Sequence, residues 1–387
     1  RPLGGVLVAW AVQYRRPLRA VAAAPVLGGS LLVGKAPVIP WPVKGQAALV
    51  VEGLGQVGAS GGAAPAPMAS TAKVMTALLT LEAHPLAAGQ QGPVLTVTRA
   101  DVATFIAERN LNESVVPVSA GEQLTEYQLL EGLLLPSGSN FADILANWTS
   151  GTVPAFVNQM NARAAALGMT ATHFADPSGF SPLTVSIPAD LIKLAEVAMR
   201  QPAFAAVVAE KEATLPGAGV LRNLDTLLGQ DGIIGIKTGH TDQAGGCFLM
   251  AADLTVDGQP VRLYGAVLGQ PNQLPGAFAV ISSLLRSLTP ALHFRTVSPR
   301  GEVVGRYQAA WGEAGTIVTA SSTAWLLEDG MVVTRQVTLT PMATTQPAGS
   351  RVGTLVLESP GHRANVPLVT AAAIDGPDLG WRLTRGF

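Results

Sequence analysis

The sequence predicts an α+β protein: an antiparallel sheet flanked by helices, followed by a small all-β domain. Three observations carry this. Helical and strand patterns interleave up to about residue 288. The last strand-like runs of that region follow one another at hairpin distance, which suits an antiparallel sheet and not a doubly wound one. Near Pro290 the texture changes to short β-branched runs separated by Gly and Pro. The expected divisions are an N-terminal arm and linker over 1–40, a main domain over 41–289 and a β-rich domain over 290–387.

The elements can be justified in chain order. The N-terminus holds two apolar runs interrupted by Arg15, Arg16 and Arg19. Neither reaches the ~20 residues of a membrane span. A leader or membrane tether is expected ahead of Arg1; the alternative is an Ala/Gly/Val arm packed on the domain surface. The end of the chain, "WRLTRGF", carries no amphipathic anchor pattern. "APVIPWPVKG", 36–45, reads as an entry linker. "QAALVVEG" suits a strand, and "GQVGASGGAAPAP" is turn-rich. In "MASTAKVMTALLTLE", Val74, Ala77, Leu78 and Leu81 recur at helical spacing. Further helices are expected over 122–135 and 154–167, and from Ser186, with that serine as N-cap followed by proline at the first helical position. Strands are expected over 232–238, over 246–252 and in "RLYGAVLGQ". The runs "GEVVGRY", "GTIVTASSTAWLL", "MVVTRQVTLTPM" and "RVGTLVLE" supply the β-rich domain.

Composition narrows the function. Hydrophobic residues make up 48% and charged residues 13%, so a large core is available. A net charge of −1 argues against a basic surface for nucleic acid or anionic lipid. The aromatic residues are scattered without basic interleaving, so no nucleic-acid partner is expected. The single cysteine, Cys247, excludes an intrachain disulfide and sits in an apolar run, as a small buried hydrophobe would. No His/Cys/Asp/Glu set has metal-ligand spacing, so neither metal nor cofactor is expected. His173 reads as a packed histidine with a structural hydrogen bond.

The chemistry starts with Ser70 and Lys73. Residues three apart share a helix face, so the lysine can reach the hydroxyl. At its ordinary pKa it would be protonated and useless as a base. Burial or a second cation would lower that pKa. Alone, this spacing is equally met by an exposed lysine in a first turn. Two later stretches add to it: "LLLPSGSNFADILAN" and "GIIGIKTGHTDQAGGCF". In the second, Lys237 and Thr238 offer a charge and a hydroxyl for a carboxylate. Gly239 lets a backbone approach the strand closely. Lys237 is also a candidate for the second cation.

Ser-x-x-Lys, Ser-x-Asn and Lys-Thr-Gly together mark active-site serine penicillin-binding proteins and class A β-lactamases. From about Trp41 to Leu288 the chain resembles the serine-type D-alanyl-D-alanine carboxypeptidases, the low-molecular-mass penicillin-binding proteins. "ASTAKVMTA", "LLLPSGSNFADILA", "MNARAAALGMTATHFADPSGF" and "GIIGIKTGHTDQAGGC" carry the resemblance. It implies a β-lactamase/transpeptidase-like fold. It also implies roles: Ser70 as nucleophile, Lys73 as base, and Ser137 relaying a proton between Lys73, Lys237 and the leaving amine. Lys237 and Thr238 would hold the substrate carboxylate. The backbone N–H groups of Ser70 and His240 would form the oxyanion hole. The implied substrate is a peptidoglycan stem peptide ending in D-Ala-D-Ala, with β-lactams as covalent inhibitors. The implied location is extracytoplasmic, in the bacterial envelope or secreted.

The second motif departs from the family pattern. It reads Ser137-Gly138-Ser139, with Asn140 one place late. Ser139 is shorter than asparagine and lacks the amide. The sequence leaves open whether Ser139 or Asn140 meets the substrate. Two other readings follow. A class A β-lactamase needs a glutamate to activate its deacylating water. Between Ser137 and Lys237 only Glu196, Glu210 and Glu212 occur, none in the expected loop pattern. A non-catalytic peptidoglycan-binding homologue would be supported by the altered second motif alone.

Overall fold

The computed structural model describes residues 2–87 and 89–385. Arg1, ahead of which a tether was expected, lies outside the described residues, as do Gly386 and Phe387 of the "WRLTRGF" end. The chain forms two compact units. One is Val38–Pro290; the other joins the residues up to Pro37 with those from Ala291 onward.

The first unit is built on a five-stranded antiparallel sheet. Its order is Ile233–Thr241, Gly245–Val256, Gln259–Gln270, Gln46–Val51 and Gly55–Ser60. The three long neighbours are joined by tight turns, as their hairpin spacing predicts. The central strands read as continuous apolar runs because both faces are covered. Cys247, Phe248, Leu249, Met250 and Ala251 are all fully buried. Gln273–Leu288 and Pro188–Ala198 pack on this sheet.

The remaining helices form a second layer around Lys73–Ala83. That helix is buried at every position from Lys73 to Leu81. A helix sealed on all sides belongs to the centre of a domain. It packs against Glu126–Leu134, Ser139–Ser150 and Pro188–Ala198. Glu126–Leu134 starts later than the expected 122–135. Thr125 caps it in a reciprocal box with Gln128, and the residues before it form the strand Gln123–Thr125. Val153–Ala166 matches the expected 154–167 helix. Ser186 is not the N-cap of Pro188–Ala198; Ile187 holds that place without a side-chain bond. The Ser186 hydroxyl instead meets Thr172 Oγ1 at 2.7 Å, because the strand pair at Val185–Ser186 turns it toward the neighbouring loop. Glu126 is fully buried, and neither carboxylate oxygen has a hydrogen-bond partner. Burial pushes its pKa up to about 7.

The second unit holds a seven-stranded antiparallel sheet. Its order is Ala22–Pro25, Val303–Gln308, Ala314–Thr319, His362–Thr370, Arg351–Ser359, Val332–Leu339 and Gly29–Leu32. The first and last strands come from the segment expected to be a separate arm. Residues 22–32 are therefore part of this sheet, which supplies partners for their backbone groups. Pro25 and Gly29 can be at most about 14 Å apart along the chain. Six flat interstrand steps would separate them by roughly 29 Å. The sheet must therefore curl strongly, bringing its two edges together. Its interior is apolar, with Val304, Ile317, Val333, Leu355, Leu357 and Leu368 buried. The run "GTIVTASSTAWLL" divides into two strands, and the second, Thr323–Glu328, pairs with Leu292–Ser298.

Candidate active site

Ser70 sits in a single 3₁₀ turn, Ala69–Ala72, that leads into the Lys73–Ala83 helix. The preceding Ala69 has φ +48°, an uncommon conformation for a residue with a side chain. Lys73 is fully buried, as is the helix from Lys73 to Leu81. Its Nζ donates to Ser70 Oγ at 2.9 Å, to the Ser178 carbonyl at 2.8 Å and to Ser139 Oγ at 3.3 Å. Three acceptors match the three protons of an ammonium. Burial lowers its pKa to about 8, against the opposing pull of Asp176, Glu113, Glu108 and Asp143.

Lys237 shares a charge repulsion with Lys73: burial lowers Lys237 well below the lysine range, and the Lys73 charge lowers it further, while Asp225 opposes. Two buried ammonium groups repel, so states with one charge are favoured over states with two. Lys237 and Thr238 are almost sealed, at 1% and 3% exposure, and Lys237 Nζ donates to the Thr238 carbonyl at 3.0 Å.

Gly239 explains how the strand meets the helix. A methyl group placed on it would lie 2.9 Å from Ser70 N and 3.2 Å from Thr71 N. The bare backbone of Ile233–Thr241 therefore lies directly against the amides of the Ser70 turn. His240 follows, exposed, on the wall of the cleft.

The second motif divides its duties unexpectedly. Ser139, not Ser137, reaches Lys73. Ser137 is 3% exposed, has φ +71°, and its Oγ has no partner. A buried, unpaired hydroxyl on strained backbone is a feature of functional positions. Asn140 is fully buried and faces away from the cleft. Its Oδ1 accepts from Val116 N at 2.9 Å and its Nδ2 donates to Val116 O at 2.8 Å. As a substrate-binding residue it is corrected to a scaffold residue, because the amide satisfies a buried backbone pair.

Sequence reasoning missed three parts of the site. One is the loop from Asp176. Its carboxylate accepts from Ser178 Oγ, Phe180 N and Thr184 Oγ1. Pro177 O receives the Thr76 hydroxyl at 2.6 Å, which pins the loop to the helix. Gly179, with φ +81°, passes so close to Ala69 O that a side chain would collide. This loop presents the Ser178 carbonyl to Lys73. Its residues lay within a quoted resemblance, but nothing local marks a carbonyl as functional. The second is Glu113, which lines the cleft and whose pKa burial raises, opposed by Ser139 and Lys73. The third is a pair of acids coupled to it, Glu108 buried and Asp143 half-buried: burial raises Glu108 to about 8 and Asp143 to about 6. The cleft holds about 330 Å³ and is walled by Ser70, Glu113, Ser139, Phe180, His240 and Asp242, among others.

The glutamates weighed for a β-lactamase are elsewhere. Glu196 lines a separate depression with Arg200 and Glu52, and Glu210 accepts from Tyr127 Oη at 2.6 Å. His173 forms a backbone bridge with Val185. Cys247 is fully buried, and burial pushes its thiol up to about 12, leaving no reactive thiolate. Among the described residues, no group of three His, Cys, Asp or Glu side chains could hold a metal ion.

A serine bonded to a buried lysine, on a central helix beside an antiparallel sheet, defines a serine protein of the β-lactamase/transpeptidase-like class. The comparisons agree. The chain belongs to the D-alanyl-D-alanine carboxypeptidase family, whose profile matches residues 42–272. It is 40% identical over 193 residues to D-alanyl-D-alanine carboxypeptidase DacB2 of Mycobacterium tuberculosis, covering 48% of this chain and 62% of that protein. It is 32% identical over 200 residues to the D-alanyl-D-alanine carboxypeptidase of Streptomyces sp. strain K15, covering 47% and 67%. The chain thus spans less than two thirds of the mycobacterial relative's length. The crystal structure of the Streptomyces K15 DD-transpeptidase superposes with a TM-score of 0.57 at 27% identity, over 65% of this chain and 98% of that one. The D-alanyl-D-alanine carboxypeptidase DacD of Francisella tularensis shares the fold, with a TM-score of 0.63 at 21% identity, over 88% and 95%.

Proposed function

We propose that the protein removes the terminal D-alanine from peptidoglycan stem peptides through a Ser70 acyl-enzyme, outside the cytoplasm, and that penicillins acylate the same serine. The catalytic chemistry is assigned to residues 41–289. The observation that carries this reading is the 2.9 Å contact between the buried Lys73 Nζ and Ser70 Oγ. A base with a pKa near 8 is neutral in a useful fraction at physiological pH.

In this mechanism neutral Lys73 takes the Ser70 proton as Oγ attacks the carbonyl carbon between the two D-alanines. The oxyanion is met by the N–H groups of Ser70 and His240. The carbon–nitrogen bond then breaks. The leaving amine receives a proton from Lys73 through the Ser137 hydroxyl, which has no partner of its own and turns toward Lys73 for this step. Water attacks the ester, Lys73 again accepts a proton, and Ser70 is regenerated. The substrate carboxylate pairs with Lys237 and Thr238. This favours the charged form of Lys237, and mutual repulsion then keeps Lys73 neutral. Ser139 and Gly239 shape the substrate's path. A tether ahead of Arg1 would keep the enzyme in the envelope.

The test is intact mass after brief exposure to benzylpenicillin, followed by peptide mapping. A stoichiometric, persistent adduct on Ser70 is expected, with none in Ser70→Ala and a rate lower by orders of magnitude in Lys73→Ala. Normal acylation of the lysine variant would overturn the base assignment. No adduct on the native protein would favour a non-catalytic wall-binding role, and rapid loss of the adduct a β-lactamase.

A further inference from the structure

The helix Pro2–Arg15 has its polarity reversed. Among the side chains described on it, Val6, Val8, Trp10, Val12 and Tyr14 are 49%, 64%, 53%, 66% and 47% exposed. The one buried side chain described there is polar: Gln13, at 5%. Exposed apolar residues at every second position point to opposite sides of a helix. No charged residue occurs between Pro2 and Tyr14.

One end of this helix is basic. Arg15, Arg16 and Arg19 follow Tyr14 and are exposed. The short helix Leu379–Thr384 adds Arg382 and the adjoining Arg385 at the same end. The Arg382 guanidinium lies 5.2 Å from the centre of the Tyr14 ring. Arg385 Nη2 donates to Gln13 O at 2.9 Å and to Arg16 O at 2.6 Å, and Gln13 Nε2 donates to Arg385 O at 2.6 Å. Trp381 meets Trp311 edge to face, and Trp311 Nε1 donates to Asp375 O. The base of the apolar helix is thus clamped to its own unit while its body is uncovered. The net charge of −1 conceals this local concentration of five arginines.

We propose that Pro2–Arg15 seats end-on in a lipid bilayer with anionic headgroups, the arginine collar lying among the phosphates. Aromatic and basic residues at the boundary of an apolar helix match the layering of a membrane interface. A flat-lying helix would leave one apolar side in water, whereas end-on insertion covers all sides. Pairing with a second copy would likewise cover one side only. At 14 residues the helix is about 21 Å long, short of the about 30 Å hydrocarbon core. Among the described residues, no helix is long and apolar enough to cross a membrane.

The test is flotation of the full chain with vesicles of phosphatidylcholine alone or mixed with phosphatidylglycerol. Binding to the mixed vesicles is expected, with a blue shift in tryptophan emission that Trp10→Phe removes. Val8→Glu with Val12→Glu should weaken partition at least tenfold without moving the thermal midpoint, since both side chains are exposed. Arg15→Gln with Arg19→Gln should weaken binding to the anionic vesicles and narrow the difference between the two compositions. Absence of flotation, or flotation indifferent to the valine changes, would overturn the proposal. So would self-association in sedimentation that the same valine changes abolish while vesicle binding is absent. These readouts do not depend on acylation of Ser70, so the two proposals fail separately.

Discussion

Ser139 Oγ lies 3.3 Å from Lys73 Nζ, in the motif position where the family pattern has an asparagine. The shorter side chain still reaches the lysine because it stands in the first turn of the Ser139–Ser150 helix, which packs directly on the helix carrying Lys73. Its hydroxyl also bonds the Glu113 side chain, opposing the rise in that carboxyl's pKa.

Removing that hydroxyl should slow acylation. Hydrogen bonds to charged groups contribute about 1.5–3 kcal/mol. Ser139→Ala is therefore expected to lower the benzylpenicillin acylation rate roughly ten- to hundredfold. Ser139→Asn restores the family residue and should leave the rate on a D-Ala-D-Ala peptide unchanged or raised. Stopped-flow acylation and peptide hydrolysis check both. A large loss with asparagine would mean that the cleft beside Glu113 is shaped for a hydroxyl.

The Lys73 pKa predicts a pH profile. Its folded value is lowered to about 8, so the neutral base accumulates as pH rises through that value. The acylation rate should climb about tenfold per pH unit well below pH 8 and level off above it. Measuring the rate from pH 5 to 10 in one ionic strength tests this. A rate falling across that range would show that the charged form is the active one.

Asn140 predicts a stability effect in place of a catalytic one. Asn140→Ala would strip both hydrogen bonds from the buried backbone of Val116. Each unsatisfied group costs about 1–3 kcal/mol. A loss of roughly 2–6 kcal/mol in unfolding free energy is expected, read by urea titration. Acylation per folded molecule should change far less than in Ser139→Ala.

Glu126 predicts an opposite dependence on pH. Its folded pKa is raised to about 7 from the ordinary glutamate value of 4.5. Between those values the folded protein holds a proton that the unfolded chain has lost. This contribution to stability is fully present below the unfolded pKa and is lost as pH rises through the folded one. Glu126→Gln should flatten the decline, so the variant gains on the native protein from pH 5 to 7.5. Parallel thermal scans of the two proteins would refute the assignment.

Much of the site is legible in the sequence because it is local. Ser70 and Lys73 share a helical face by their spacing alone, and Lys237-Thr238-Gly239 reads as one strand end. Periodicity likewise marks the Lys73 helix, the long strands and the β-rich tail. Other features have no local signature. The Ser178 carbonyl meets Lys73 from 105 residues away, Asn140 turns to Val116 instead of the cleft, and residues 22–32 join strands from the far end of the chain. Even the source of the Lys73 pKa was decided by tertiary structure. Burial is its largest cause, because the helix is enclosed from Lys73 to Leu81. Spacing along the chain determines which groups one element can present. Desolvation and long-range hydrogen bonds exist only once separate elements have packed together, and they decide what those groups can do.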